Sequence, residues 1–91
     1  MKDVYIEEAR KLFNHICING SGHVVRIVGF HEDESDYYWI TRDLFGTQVY
    51  SSCVGGYESL KGKIEFYDDV ERVFTVNGCP PAESFIETSE V

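Results

Sequence analysis

Nothing in this chain reads as a membrane span, a secretory leader or a reactive motif. The N-terminus, MKDVYIEEARKLF, has no continuous apolar core and carries acids inside its apolar periodicity, so it is read as neither signal peptide nor membrane helix. Cysteine is scarce and odd in number. Cys17, Cys53 and Cys79 do not look like the paired framework of a small secreted domain, and a cytoplasmic location without a membrane partner is expected. Positive charge is also short: eight basic residues stand against sixteen acidic ones, for a net charge of −8. The cations are spread along the chain (among them Arg10, Lys11, Arg26, Arg42, Lys61, Lys63 and Arg72), which argues against direct binding to a nucleic acid and favours a basic partner.

The familiar constellations of catalysis and metal binding are missing as well. His15, Cys17, His23, His31, Cys53 and Cys79 are residue types that zinc uses, but only His15 and Cys17 are close, and a spacing of two aims them at different faces of a helix. The acidic run EDESD fails the calcium-loop pattern, with Tyr38 where a glycine is required. There is no strand-to-helix nucleophile elbow, no Cys-x-x-Cys and no H-E-x-x-H, and Gly55-Gly56 is not followed by the lysine of a phosphate loop. Carboxylates abound, yet they fall on predicted turns, away from an apolar pocket that would tune one for proton transfer. The chain is therefore expected to be non-enzymatic, with no cofactor and no metal.

What is present is a globular composition, 43% hydrophobic with six Phe, six Tyr and one Trp, in 91 residues that leave room for a single domain, 1–91. Tyr5, Ala9, Leu12, Phe13 and Ile16 recur at helical spacing, which predicts a helix over 3–17, capped by Asp3 and stopped by Asn19-Gly20. Beyond Gly22 the β-branched and aromatic runs at 23–30, 37–42 and 47–54 predict three antiparallel strands. Residues 55–62 read as a loop and 63–67 as a fourth strand. Residues 68–76 fit either state, with Val70, Val73 and Phe74 at helical spacing, and are assigned here to a strand that ends a β-rich region over about 23–76. Pro81 opens a short helical turn at 81–86, and 87–91 is expected to fray. The fold class is α+β: an N-terminal helix on a small, strongly bent antiparallel sheet of four to five strands, with an SH3-like barrel as one way to close it.

One stretch invites a functional reading. GFHEDESDYYWITRD puts Glu32, Asp33, Glu34 and Asp36 in the first hairpin loop, directly before Tyr37, Tyr38 and Trp39. Strand alternation places Tyr37 and Trp39 on one face and Tyr38 with Ile40 on the other, so one set is left partly outward, along with Tyr50 or Tyr57. Exposed Tyr beside carboxylates is what protein interfaces enrich, whereas a hairpin loop also has to be solvated. A second cluster, Glu65, Asp68, Asp69 and Glu71, is expected at the far end of the sheet, and carboxylates spread over a rigid fold can imitate duplex phosphates toward an Arg/Lys groove.

In its layout the chain resembles small phage-encoded, host-directed proteins such as anti-CRISPR and other anti-defence inhibitors: a compact acidic domain, a leading helix, a bent sheet, and acidic loops such as HEDESD and FYDDVE. That resemblance implies stoichiometric binding to a nucleic-acid-handling host protein, in its sharper form by mimicry of the nucleic acid. Glu32, Asp33, Glu34, Asp36, Tyr37, Tyr38, Tyr57, Asp68 and Asp69 are the candidate partner-binding residues. The alternative is an SH3-like accessory module that reads a peptide or small ligand through exposed aromatics.

Overall fold

The structure, a computed structural model, describes residues 2–53 and 56–90. Val54 of the expected third strand, Gly55 of the expected loop and Val91 of the expected frayed end lie outside the described residues. The element order is α1 (Lys2–Lys11), β1 (Ile16–Asn19), β2 (Val24–Glu32), β3 (Tyr37–Arg42), β4 (Gln48–Ser52), β5 (Tyr57–Ser59), α2 (Tyr67–Val76) and β6 (Ile86–Ser89). The fold is α+β, as the sequence predicts. Five strands form the path β4-β3-β2-β1-β5, antiparallel throughout, and β6 joins β2 in parallel beside the end of β1. The path does not close into a barrel: β4 and β5 are its two ends.

The long strand β2 organises everything else. Its first residues pair with β1 (Cys17 with Val25) and its last residues with β6 (Phe30 with Glu87), while β3 runs along its other side. A register shift between Ile27 and Gly29 bends it. Gly29 lies so close to β6 that any side chain there would overlap the Ile86 carbonyl. Because side chains alternate along each strand, the sheet is buried on both faces. Ile6 and Ala9 of α1 pack with Cys17, Ile27, Phe30 and Trp39 on one face, and Phe74 of α2 packs with Ile16 and Cys79 on the other.

Four expectations for the elements are corrected. The first helix ends at Lys11 instead of 17: Asn14 takes a left-handed conformation (φ 64°), donates its backbone N–H to the Ile27 carbonyl, and turns the chain into β1. Ile16 matched the helical spacing but is a strand residue. Asn19 does not cap a helix; its side chain accepts from the Ser21 and His23 amides and closes the β1–β2 turn. The loop assigned to 55–62 contains β5, and of the strand expected over 63–67, residues 63–66 form turns and Tyr67 opens α2. Residues 67–76 are helical, with Asp68 and Asp69 at the positive end of the helix dipole and Tyr67, Val70 and Phe74 turned to the core. Finally, 81–86 forms no helix. Pro80 and Pro81 lack the backbone N–H that a helix needs, Phe85 packs edge-on against Phe13 at 5.7 Å, and Ile86, the end of the expected turn, opens β6, which also takes in 87–89 of the stretch expected to fray.

Candidate functional site

The hairpin between β2 and β3 forms an acidic tip whose four carboxylates have different tasks. Asp33 builds the turn: its Oδ1 accepts from the Ser35 and Asp36 amides, both at 2.8 Å, and from the Ser35 hydroxyl at 3.0 Å. Those donors, the Ser35 amide first, hold its carboxyl below the ordinary value of 3.8. Glu32 is tied to Lys2 of α1 at 2.6 Å. Asp36 accepts the Tyr37 amide through one oxygen at 2.8 Å, and among the described residues neither Asp36 nor Glu34 forms an ion pair. Both are exposed. The charge available to a partner at the tip is thus Glu34, Asp36 and the outward part of Asp33.

The aromatic candidates divide by strand register. Tyr37 faces inward, against Phe30 (6.1 Å between centroids) and Tyr5 (6.2 Å), and contributes to the core. Tyr57 also faces inward, its ring 4.4 Å from Trp39, and burial pushes its phenol pKa up. Neither is the exposed anchor that the sequence suggests. Tyr38 lies on the opposite face, where the nearby Asp33 charge raises its phenol pKa. Next to it, Tyr50 of β4 stacks on His31 at 4.2 Å with planes 10° apart and remains 46% exposed. The outward aromatic set beside the tip is Tyr38 and Tyr50.

The second acidic cluster lies elsewhere. Asp68 and Asp69 occupy the first turn of α2, where Asp69 pairs with Arg72 at 2.6 Å, and Glu71 reaches the fully buried Arg26 at 3.6 Å. Arg26 and Glu32 are six residues apart on β2, about 20 Å along a strand. The two clusters therefore form no single surface. The sequence reading also missed acids that β6 brings to the tip. The Glu90 amide donates to the Glu32 carbonyl at 2.9 Å, and Glu87 pairs with Arg10. With one apolar residue in four, Ile86-Glu87-Thr88-Ser89 carries no periodic signal of a strand.

Burial pushes the Cys17 and Cys53 thiols up to about 12, so both stay protonated at neutral pH. His15 Nδ1 meets the Ser59 hydroxyl at 2.9 Å, and burial lowers the pKa of the imidazole. This nucleophile–base pair was not anticipated from the sequence. It ties the residue before β1 to β5, and no carboxylate among the described residues is hydrogen-bonded to the imidazole to orient it, as a triad needs. Among the described residues no three His, Cys, Asp or Glu side chains gather to hold a metal ion, and no helix is long and apolar enough to cross a membrane. Comparison with protein-family models, with curated proteins and with solved structures finds no match to this chain.

Proposed function

We propose that this domain is a non-enzymatic, cytoplasmic protein-binding module whose acidic tip docks on a basic surface of a nucleic-acid-handling host protein and inhibits or modulates it. The observation that carries the reading is the pairing of uncompensated charge with outward aromatics: Glu34 and Asp36 lie at the tip, and Tyr38 and Tyr50 flank it on one face. Carboxylates free of internal cations steer a basic partner and pair with its Arg and Lys, while Tyr rings supply contact area with little entropy to lose. Local mimicry of a few phosphates fits this tip better than imitation of a long duplex, because Asp69 and Glu71 at the other end are already paired.

The test separates charge from aromatic contact. Glu34→Lys with Asp36→Lys leaves Glu32 and Asp33 to hold the hairpin and is expected to weaken capture of a basic partner from bacterial lysate by tenfold or more, on the order of 1.4 kcal/mol. The remaining binding should lose part of its salt dependence. Unchanged capture would sink the charge-based reading. If Tyr38→Ala with Tyr50→Ala alone abolishes binding, the module reads a peptide through its aromatics and the acids only keep it soluble.

A further inference from the structure

The two terminal strands of the sheet are finished differently. β5 spans three residues and carries Glu58, which pairs with Lys63, a charged and short edge of the kind that discourages strand addition. β4 spans five residues, Gln48–Ser52, and carries neither charge nor proline. It lies inside the uncharged stretch 44–57, in a chain that is 26% charged. Among the described residues no strand pairs with its outer side.

Ladder geometry shows which groups that side presents. The Asp43 amide donates to the Thr47 carbonyl at 3.1 Å, and Thr41 lies opposite Val49. Hydrogen-bonded and non-bonded pairs alternate in an antiparallel ladder, so Thr47, Val49 and Ser51 turn their backbone groups toward β3. The Thr41 hydroxyl, which donates to the Val49 carbonyl at 3.2 Å, agrees with this. The N–H and C=O of Gln48 and Tyr50 then point away from the sheet. Val49 is 50% exposed and borders a groove of about 500 Å³ lined also by Val25, Thr41, Leu44 and Phe45, with Phe45 76% exposed.

We propose that β4 is a self-association edge: two copies pair their β4 strands antiparallel about a two-fold axis at Val49, making one sheet that runs through both. In this register Gln48 of each copy exchanges two main-chain hydrogen bonds with Tyr50 of the other. The two Val49 side chains become a close non-hydrogen-bonded pair that extends the apolar floor of both grooves. A second copy is the occupant that the chemistry favours. The edge is neutral, so it offers a charged peptide no pairing, whereas its own sequence supplies a neutral strand of matching length.

The acidic tips do not oppose the arrangement. The acidic tip lies at the Tyr37 end of β3, and Asp36 is five residues beyond Thr41, the partner of Val49. That is about 17 Å from the proposed axis along the strand. The two-fold sends the tips in opposite directions, well beyond a Debye length of about 8 Å at physiological salt. Each dimer would present two acidic tips facing away from each other.

Analytical ultracentrifugation of the wild type from about 5 µM to about 0.5 mM tests this, since an interface of one strand pair and two valines belongs to the weak class. The expected result is a shift from 10.4 kDa toward twice that mass. Val49→Lys should stay monomeric throughout with an unchanged circular-dichroism spectrum, and Val76→Lys, on exposed α2 surface, should dimerise like the wild type. Hydrogen exchange on the wild type gives an independent readout: the Gln48 and Tyr50 amides should gain protection as concentration rises. A wild type monomeric at every concentration, a Val49→Lys variant that dimerises equally well, or exchange at those two amides independent of concentration would each overturn the proposal. Protection conferred only by an added foreign strand would assign the edge to another partner and overturn it too.

Discussion

At one end of β2, Arg26 is fully buried, donates to the Cys79 and Asn14 carbonyls at 3.2 and 2.8 Å, lies 5.7 Å from the centre of the Phe74 ring, and meets Glu71 at 3.6 Å. At the other end, Glu32 holds Lys2 in solvent and Asp33 turns the chain, while Glu34 and Asp36 face water and, among the described residues, pair with no cation. Both regions are acid-rich in sequence. One uses its carboxylate to compensate a buried charge, and the other keeps most of its charge available. The difference comes from what each acid faces: the first borders the core, where a charge without a partner is expensive, and the second borders only solvent.

The buried end should break first. Arg26→Ala removes the guanidinium that joins β2, the turn at Asn14, the chain at Cys79 and α2. It also leaves Glu71 and two carbonyls without their donor, so urea denaturation should show a loss of about 3–5 kcal/mol. Arg26→Met keeps the stem packed on Phe74 and should cost less, which would assign most of the Ala effect to packing. Equal losses in the two variants would assign it to the charge and its hydrogen bonds. Among the described residues Arg26 Nη2 has no hydrogen-bond partner.

Asn14 sharpens the same comparison at smaller scale. Its side chain donates to the Ala82 carbonyl at 2.9 Å and accepts the Ala82 amide at 2.8 Å, fastening the segment that leads to β6. Asn14→Ala loses both bonds and places Ala in a left-handed conformation, so a loss of about 1–3 kcal/mol is expected in the same denaturation experiment. Protection of the β6 amides should fall more than that of β3, because only β6 is reached through Ala82. Equal losses across the sheet would mean that β6 unfolds only with the whole domain.

The tip should tolerate change. Glu34→Lys with Asp36→Lys should leave the midpoint of thermal unfolding within about 4 °C of the wild type, as expected for substitutions away from the core. A larger drop would show that the tip contributes to folding as the Arg26 end does, and would remove the basis for calling its charge available.

Much of this organisation was legible in the sequence, and the misses have a common cause. β2, β3 and β4 were found because their runs are long, β-branched and bounded by turn residues, and β3 matches its expected bounds of 37–42. The split of Tyr37 and Trp39 from Tyr38 and Ile40 followed from alternation alone. Ile16-Cys17-Ile18, Tyr57-Glu58-Ser59 and Ile86-Glu87-Thr88-Ser89 are too short to announce themselves, and each is a strand only because β2 or β1 offers it an edge. In α2 the helical spacing of Val70, Val73 and Phe74 was visible beside a strand-like composition, and the contact of Phe74 with Ile16 and Cys79 decided the outcome. At the site, the charges were legible but their pairing was not. Lys2 and Glu32 are thirty positions apart, and nothing local marks Tyr57 as the ring that packs against Trp39.

Asp33 gives the finest discrimination within the tip. Its folded-state pKa lies below the ordinary 3.8 because the Ser35 and Asp36 amides donate to the ionised form. The stabilisation it lends is therefore present above the unfolded value and is lost as pH falls through the folded one. Amide exchange at Ser35 and Asp36, compared between the wild type and Asp33→Ala, should be faster in the variant at neutral pH, and the two should converge in acid below 3.8 once Asp33 is protonated. Glu34→Ala, one position along with no such donors, should match the wild type at every pH. If Asp33→Ala exchanged at Ser35 and Asp36 no faster than the wild type at neutral pH, the turn would be held by the backbone bond from the Asp33 amide to the Asp36 carbonyl alone, and Asp33 would rejoin Glu34 and Asp36 as charge free for a partner.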